Sequence, residues 1–416
     1  MTQEEFTTIV AQEICPVLAG AAVTKVLAGH PAHEQVAIRA DGQTMVISPT
    51  KRAAYQVEIS RSQVFSAEDA RLVEAIIVEI VAGFRKVAAP YRARVIQYAI
   101  EVGICKFLAL HDYPMLVDVL DGFDSWSQRT YEGRKPTFSI VVDFASKHKP
   151  DEGHPAIGEV LAADFSALLS NSVESGLILS AAGALIGYAN FTRAAVKDNT
   201  YAPWRYMAFA NYADKQRVCF TLTDTGQVMV FKNQKLFFTK LNGSWTYYNH
   251  GSTIAALAGG SLALRKAIYE TILDVSFART GGCLAVVQLA DVKQLVVEEG
   301  TSGQSVIKRD DLVKKPTSLK SRTISCLVRG QKFQNLDRIA RKEMTGIDGA
   351  TIITRQGEIL AVGAIIKIEG GSTGGGRLAA TKTLAAYGTA IKVSADGMVE
   401  AFVQGPDGTP VSVFGF

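Results

Sequence analysis

The sequence TGIDGATIITRQGEILAVGAIIKI, residues 345–368, contains two of the apolar runs that predict the fold of the last third of the chain. ATIIT at 350–354 and AVGAIIKI at 361–368 have the length and composition of buried strands, as do CLAVVQL at 283–289 and TAIKVS at 389–394. Helices are predicted between them, at 262–277, 336–344 and 379–387. Residues 261–416 are therefore predicted to form an α/β domain with a mixed sheet flanked by helices.

The region before this domain, residues 151–260, has the pattern of an antiparallel β meander. Three pairs of apolar runs are separated by turn dipeptides at Ala182-Gly183, Thr225-Gly226 and Asn242-Gly243. The polar segment 147–155, which holds two prolines, predicts a domain boundary between residues 150 and 151.

Residues 1–150 are predicted to form an α+β region with a regulatory or partner-binding role. A first helix is expected from Gln3 to about residue 27, and a hairpin is expected to turn at Asp41-Gly42. Ser66 is the expected N-cap of a later helix, with Asp69 three residues on.

The composition is that of an ordinary globular protein, with 48% apolar and 20% charged residues and a net charge of +4. The number of cysteines, five, is odd and no two form a CxxC, which argues against a disulfide framework or a structural zinc site. No apolar run reaches the length of a membrane span, and the acidic start MTQEEF lacks the pattern of a signal peptide. We expect a cytoplasmic protein that has no membrane partner.

A first candidate site is the sequence GIDGA at 346–350, between a predicted helix and a predicted strand. The carboxylate of Asp348 could hold a metal ion or accept a proton from an attacking hydroxyl group. Gly349 and Ala350 would leave room for a ligand to approach the backbone. Asp-Gly is also common in simple turns, so turn chemistry is the alternative interpretation.

A second candidate site is the glycine-rich sequence GGSTGGGR at 370–377, between a strand and a helix. Such a loop can direct backbone N–H groups toward an anion, and the helix start adds positive potential. Arg377 can add a bidentate contact to phosphate. A flexible loop is the alternative. The residues expected to bind phosphate are Ser372, Thr373, Gly374, Gly375, Gly376 and Arg377.

Taken in this order, the two sites resemble those of the diadenylate cyclase (DAC, or DisA N-terminal) family. The resemblance covers residues 262–402. LRKAIYETILDVSFARTGGCLAVVQL is similar to the family's first helix and strand, and LDRIARKEMTGIDGATIITRQGEILAVGAII to the segment with its DGA motif. GGGRLAATKTLAAYGTAIKVSADGMVEAF is similar to the segment with its RHR motif.

The resemblance implies specific roles for the motif residues. Asp348, Gly349 and Ala350 match DGA, whose aspartate serves metal and 3′-hydroxyl chemistry, with Mg²⁺ or Mn²⁺ as the cofactor. Gly375, Gly376 and Arg377 align with RHR, which holds the ATP triphosphate, so two of its three donors are absent. Losing a donor that stabilises transition-state charge costs about 10²–10³-fold in rate. Lys367, Lys382 and Lys392 are candidates to compensate.

Three functions therefore remain open from the sequence. The first is a sensor that binds ATP, another nucleotide or a nucleotide-derived messenger. The second is an active cyclase that joins two ATP into cyclic di-AMP, which requires two domains to face each other in a homodimer or higher oligomer. The third is a nucleic-acid-binding protein that uses residues 308–342, which hold eleven Lys and Arg and three Asp. A solvated insertion loop is the alternative interpretation of that basic stretch.

Overall fold

The chain divides into two compact units, Met1–Asn249 and His250–Phe416, in the computed structural model. The structure describes residues 1–28, 34–88, 91–109, 111, 113–130, 133, 135–193, 200–257, 259–288, 295, 306–314, 316–368 and 375–416. Within those ranges the chain is an α/β protein with three open sheets. No helix in those ranges combines the length and apolar character that a bilayer-spanning segment needs.

The first unit contains two sheets and the helices that pack with them. Its helices are α1 Gln3–Ile9, a π-helical turn Val10–Ile14, α2 Cys15–Val17, α3 Ala67–Phe84, α4 Arg92–Leu108, α5 Tyr113–Ser127, α6 Ile157–Ala162 and α7 Met207–Tyr212. Its strands are β1 Ala22–Ala28, β2 Val36–Ile38, β3 Thr44–Ile47, β4 Tyr55–Ser60, β5 Phe138–Asp143, β6 Ser175–Ser180, β7 Leu185–Asn190, β8 Arg217–Leu222, β9 Val228–Lys232, β10 Lys235–Leu241 and β11 Ser244–Tyr247.

The predicted start of the α3 helix is confirmed. The Ser66 hydroxyl accepts a hydrogen bond from the Asp69 backbone N–H (3.2 Å), and the Asp69 carboxylate accepts one from the Ser66 N–H (2.6 Å). This capping box satisfies two backbone donors that the first helical turn leaves without partners. The hairpin expected at Asp41-Gly42 is also present, as β2 and β3 with Val36 opposite Ile47.

The helix predicted from Gln3 to about residue 27 is too long. The chain leaves the helix after Val17, and Gly20 adopts a positive φ of 81° before strand β1 begins at Ala22. Residues 22–28 are extended because they pair antiparallel with β4, whose paired residues lie 27 to 38 positions further along the chain. Long-range pairing therefore overrides the local helical pattern.

The predicted boundary at residue 150 does not separate two domains. Strand β5, which precedes it, lies in one sheet of order β11-β10-β9-β8-β5-β6-β7. It pairs parallel with β6 and antiparallel with β8. The three predicted hairpins are present, but β5 separates the β6–β7 hairpin from the β8–β11 meander. A single apolar core extends across both sheets of this unit.

The second unit is built on a mixed sheet of order β14-β13-β12-β15-β16-β17, in which only β12 and β13 are parallel. Its strands are β12 Gly282–Val287, β13 Ala350–Thr354, β14 Ile359–Ala364, β15 Gly388–Val393, β16 Val399–Gln404 and β17 Pro410–Gly415. Its helices are α8 His250–Ala256, α9 Leu262–Ala278, α10 Leu319–Val328, α11 Arg338–Gly346 and α12 Gly376–Ala385.

Helices pack on both faces of this six-stranded sheet, toward which successive strand residues point alternately. On one face, the thiol of Cys283 lies 3.3 Å from the Thr381 hydroxyl of α12. On the other face, α9 and α11 pack close to the backbone of Gly282, where a Cβ would meet Val275 and Thr345. The α/β class predicted for this region is confirmed.

Candidate functional site

Asp348 lies in the short connection between α11 and β13, with an exposed side chain. Its carboxylate accepts one hydrogen bond, from the backbone N–H of Gly349 at 3.1 Å. Within the described ranges no cation forms an ion pair with this carboxylate. The group is therefore accessible to a ligand and keeps most of its acceptor capacity.

Gly349 and Ala350 serve the packing of the strands that follow Asp348. Gly349 has φ +103°, and a Cβ there would lie 2.5 Å from the carbonyl carbon of Gly363 and 2.8 Å from the oxygen of Ala364. Ala350 is fully buried and pairs with Cys283 of β12. The space that the sequence interpretation left for a ligand at Gly349 is occupied by the backbone of β14.

The second predicted site begins at the amino end of α12. Ser372, Thr373 and Gly374 lie outside the described residues, whereas Gly375, Gly376 and Arg377 lie within them. Gly375 occupies the N-cap position with φ +89° and no side-chain cap, and both glycines are exposed. The first turn of α12 therefore receives no capping hydrogen bond from the Gly375 position, which leaves backbone N–H groups for solvent or an anion.

The guanidinium group of Arg377 lies against Gly281 at the start of β12, so closely that a Cβ at Gly281 would collide with it. Within the described ranges no carboxylate forms an ion pair with Arg377. Its charge reaches the thiol of Cys283. Burial raises the pKa of that thiol to about 11, and the hydrogen bond from Thr381 and the charge of Arg377 oppose this increase.

The strand register places the two predicted sites at the same edge of the sheet. Cys283 of β12 pairs with Ala350 of β13 in parallel, so both strands begin at this edge, next to Gly281 and Asp348. The antiparallel strands β14 and β15 end there, since Ala364 is opposite Ala350 and Val393 is opposite Gly282. The contact of Arg377 with Gly281 brings the start of α12 to that edge as well.

The glycine-rich segment thus follows the carboxyl end of a strand, β14, and precedes the amino end of a helix, α12. This is the usual position of an anion-binding loop in α/β folds. Asp348 instead precedes the amino end of its strand, so its place at this edge depends on the parallel pairing of β12 and β13.

A further cation, Lys320 of α10, lies at this edge and was not identified from the sequence. Its ammonium group donates to the backbone oxygen of Gly363 (2.6 Å) and pairs with Asp311 (2.6 Å), whose other oxygen accepts from the Ile365 N–H. Gly363 is the residue on which Gly349 packs. Lys320 and Gly363 are 43 residues apart in sequence, so no local pattern could have identified this contact.

Of the three lysines proposed to compensate for the missing RHR donors, two direct their ammonium groups to other partners. Lys392 is paired with Glu400 on the neighbouring strand (2.6 Å), and the ammonium group of Lys382 lies 6.0 Å from the centre of the Phe402 ring. The backbone N–H of Lys367 donates to Val306. Among these four lysines, Lys320 is the one whose side chain donates to a backbone oxygen at this edge.

The basic stretch 308–342 contains cations that stabilise the fold of the second unit. Arg338 makes two hydrogen bonds with the buried carboxylate of Asp274 (2.7 and 2.8 Å), and Arg341 pairs with Glu270 (2.7 Å). Further ion pairs join Lys314 to Glu358, Lys320 to Asp311 and Lys342 to Glu343. Cations in such pairs are less available to nucleic acid than the count of charges indicates.

A separate cluster in the first unit was missed in the sequence analysis. His148, Asp151 and His154 have metal-ligating atoms that all lie within 4.8 Å of one another. Among the described residues this is the one group of three His, Cys, Asp or Glu side chains with that property, so Asp348 has no such partners there. The spacing His-x₂-Asp-x₂-His could have indicated the cluster, but the segment was interpreted as a domain boundary alone.

No protein-family model, curated protein or solved structure matches this chain.

Proposed function

We propose that the second unit binds a nucleotide or a nucleotide-derived messenger at the edge formed by Asp348 and Arg377. The supporting observation is that both residues, 29 positions apart in sequence, lie at one edge of the sheet and carry opposite charges with no described ion-pair partner. A phosphorylated ligand with a ribose can use both charges at once.

Phosphate groups would lie at the amino end of α12. Backbone N–H groups of its first turn and the guanidinium group of Arg377 are donors suited to phosphate oxygens. Asp348 would then accept a hydrogen bond from a ribose hydroxyl, or bind Mg²⁺ or Mn²⁺ together with phosphate oxygens. A magnesium ion commonly uses one or two carboxylates and completes its shell with substrate phosphates and water.

An active cyclase is the second candidate, favoured by one observation. The Asp348 carboxylate is exposed and nearly free of hydrogen bonds, as a group that must hold a metal ion or accept a proton requires. The loss of two phosphate donors argues against turnover, because Gly375 and Gly376 have no side chains that could replace them. We therefore propose binding as the principal function and turnover as the alternative, with homodimerisation required only for turnover.

Calorimetry with ATP and with cyclic di-AMP, each with and without Mn²⁺, tests the proposal. Arg377→Ala is expected to weaken the binding of at least one of these ligands by about 1.5–3 kcal/mol, the usual contribution of a charged hydrogen bond. Arg322→Ala is the matched control, since Arg322 is an exposed arginine on α10 in the same unit. Equal affinities for the wild type and Arg377→Ala would contradict the proposal.

Chromatography of the products after incubation with ATP and Mn²⁺ separates the two candidates. A sensor leaves ATP unchanged, whereas a cyclase makes cyclic di-AMP that Asp348→Asn abolishes. A steep loss of affinity for DNA or RNA with increasing salt would instead support the nucleic-acid alternative.

A further inference from the structure

Three potential metal ligands converge in the loop that follows strand β5 of the first unit. The Nε2 atom of His148 lies 2.9 Å from Nδ1 of His154 and 3.1 Å from Oδ2 of Asp151. The Nδ1 atom of His154 lies 3.0 Å from Oδ1 of Asp151. Two ring nitrogens and one carboxylate therefore point at a common position.

Hydrogen bonds alone satisfy this arrangement poorly. A neutral imidazole has one N–H and one acceptor nitrogen, and an ionised carboxylate only accepts. The two ring nitrogens make three contacts, one with each other and one each with the Asp151 carboxylate. Each nitrogen carries at most one proton, so one of the three contacts lacks a hydrogen-bond donor of its own. A cation placed between the three groups would instead serve all of them.

The separations match those of ligands on a single ion. Metal–nitrogen bonds are about 2.0–2.1 Å long, so neighbouring ligands at right angles lie about 3 Å apart and tetrahedral ligands about 3.4 Å apart. The two ring nitrogens lie 2.9 Å apart, as two ligands at right angles on one ion do. Each nitrogen also lies 3.0–3.1 Å from a different oxygen of the Asp151 carboxylate. Small movements of exposed side chains would also permit the tetrahedral geometry.

The backbone holds this loop in position. Asp151 and His154 exchange two backbone hydrogen bonds (3.0 and 3.1 Å), and the Gly153 N–H donates to Oδ1 of Asp151 (2.9 Å). The buried Ser180, at the end of β6, donates its hydroxyl proton to the backbone oxygen of His148 (2.6 Å). Since β5 and β6 are parallel, the loop lies at their carboxyl ends, where α/β sheets usually bind ligands.

We propose that His148, Asp151 and His154 bind one divalent transition-metal ion. Two imidazoles with one carboxylate suit Zn²⁺, Co²⁺, Ni²⁺ or Fe²⁺, whereas Mg²⁺ and Ca²⁺ prefer oxygen ligands alone. The three side chains are 40–53% exposed, so an ion reaches them from solvent and keeps coordination positions for water or another ligand.

Titration of the full-length, untagged protein with Zn²⁺ and with Co²⁺ tests the proposal. We expect one equivalent of Zn²⁺ to bind, and one equivalent of Co²⁺ to bind with a visible absorption band. His148→Ala and Asp151→Asn should each weaken the binding by about tenfold or more, because losing even an outer partner of a metal ligand costs about 10–100-fold. An excess of Mg²⁺ should not displace the Co²⁺ band.

Two matched controls test other surface groups that bind such metals. His111→Ala removes another exposed histidine of the same unit, and Cys326→Ser removes the exposed thiol. Both variants should bind the metal as the wild type does. The proposal is overturned if the wild type binds no stoichiometric Zn²⁺ or Co²⁺, if either cluster variant retains wild-type affinity, or if a control variant loses as much affinity as they do. Unchanged thermal unfolding of the metal-free variants would confirm that they remain folded.

Discussion

The close contact of Gly349 with strand β14 yields a prediction whose magnitude follows from the structure. Gly349→Ala would place a methyl carbon 2.5–2.8 Å from three backbone atoms of Gly363 and Ala364. Backbone atoms in a paired strand cannot rotate away as a side chain can, so β13 and β14 must separate locally. The residue would also retain a φ of +103°, which L-residues rarely adopt.

The two costs can be estimated separately. A positive φ at a non-glycine residue costs about 1–3 kcal/mol, and forcing extra atoms into a packed site costs about 1–3 kcal/mol. We therefore expect Gly349→Ala to lower the free energy of unfolding of the second unit by about 2–6 kcal/mol. Gly375→Ala is the matched control, because Gly375 has φ +89° but no atom of the described residues lies within 4 Å of the position of a Cβ. It should show the conformational cost alone.

Denaturant unfolding followed by far-ultraviolet circular dichroism measures both variants. The three tryptophans, Trp126, Trp204 and Trp245, all belong to the first unit, so tryptophan fluorescence is not a direct probe of this site. Hydrogen exchange of the amides in β13 and β14 localises the effect. If Gly349→Ala were no more destabilising than Gly375→Ala, the contact with β14 would not be the reason for a glycine at position 349. A ligand-related role for Gly349 would then regain support.

Three further predictions concern charges and thiols. Arg338→Met removes the cation from the buried Asp274 carboxylate and should cost about 3–5 kcal/mol in unfolding free energy, measured by denaturation; a near-zero change would contradict a structural role for this arginine. Lys240, which contacts Glu101 and Asp124 in the first unit, should show a similar cost when changed to Met. Burial raises the pKa of Glu101, so the loss of stability in Lys240→Met should shrink as the pH falls toward that raised pKa and Glu101 takes up a proton; adding Glu101→Gln should reduce that pH dependence. A thiol reagent should modify one cysteine in the native protein, the exposed Cys326, and all five after denaturation; Cys326→Ser should eliminate the native reaction.

Several features were predictable because the interactions that create them lie within a few residues. The Ser66 and Asp69 capping box joins groups three positions apart, and turns such as Asn242-Gly243 need only the left-handed backbone that these residues accept. The strands of the second unit were predictable because a strand covered by helices on both faces is a continuous apolar run. The residue types of the two candidate sites were likewise visible in the sequence.

The tertiary structure decided everything that depends on pairing between distant segments. Strand β5 lies between β6 and β8 in the seven-stranded sheet of the first unit. The residues that it pairs with lie 37 positions further along the chain on β6 and more than 70 positions further on β8. This pairing is why the chain has no domain boundary at residue 150. Asp348 shares an edge with Arg377 only because β12 pairs parallel with β13, and Lys320 joins them only because its segment packs on β14. Local propensity extends over one or two turns of chain, whereas strand order follows from which apolar faces can be buried together. The sequence by itself therefore determined the local turns, the helix cap, the apolar strands of the second unit and the chemistry available, and the fold determined which of those groups meet.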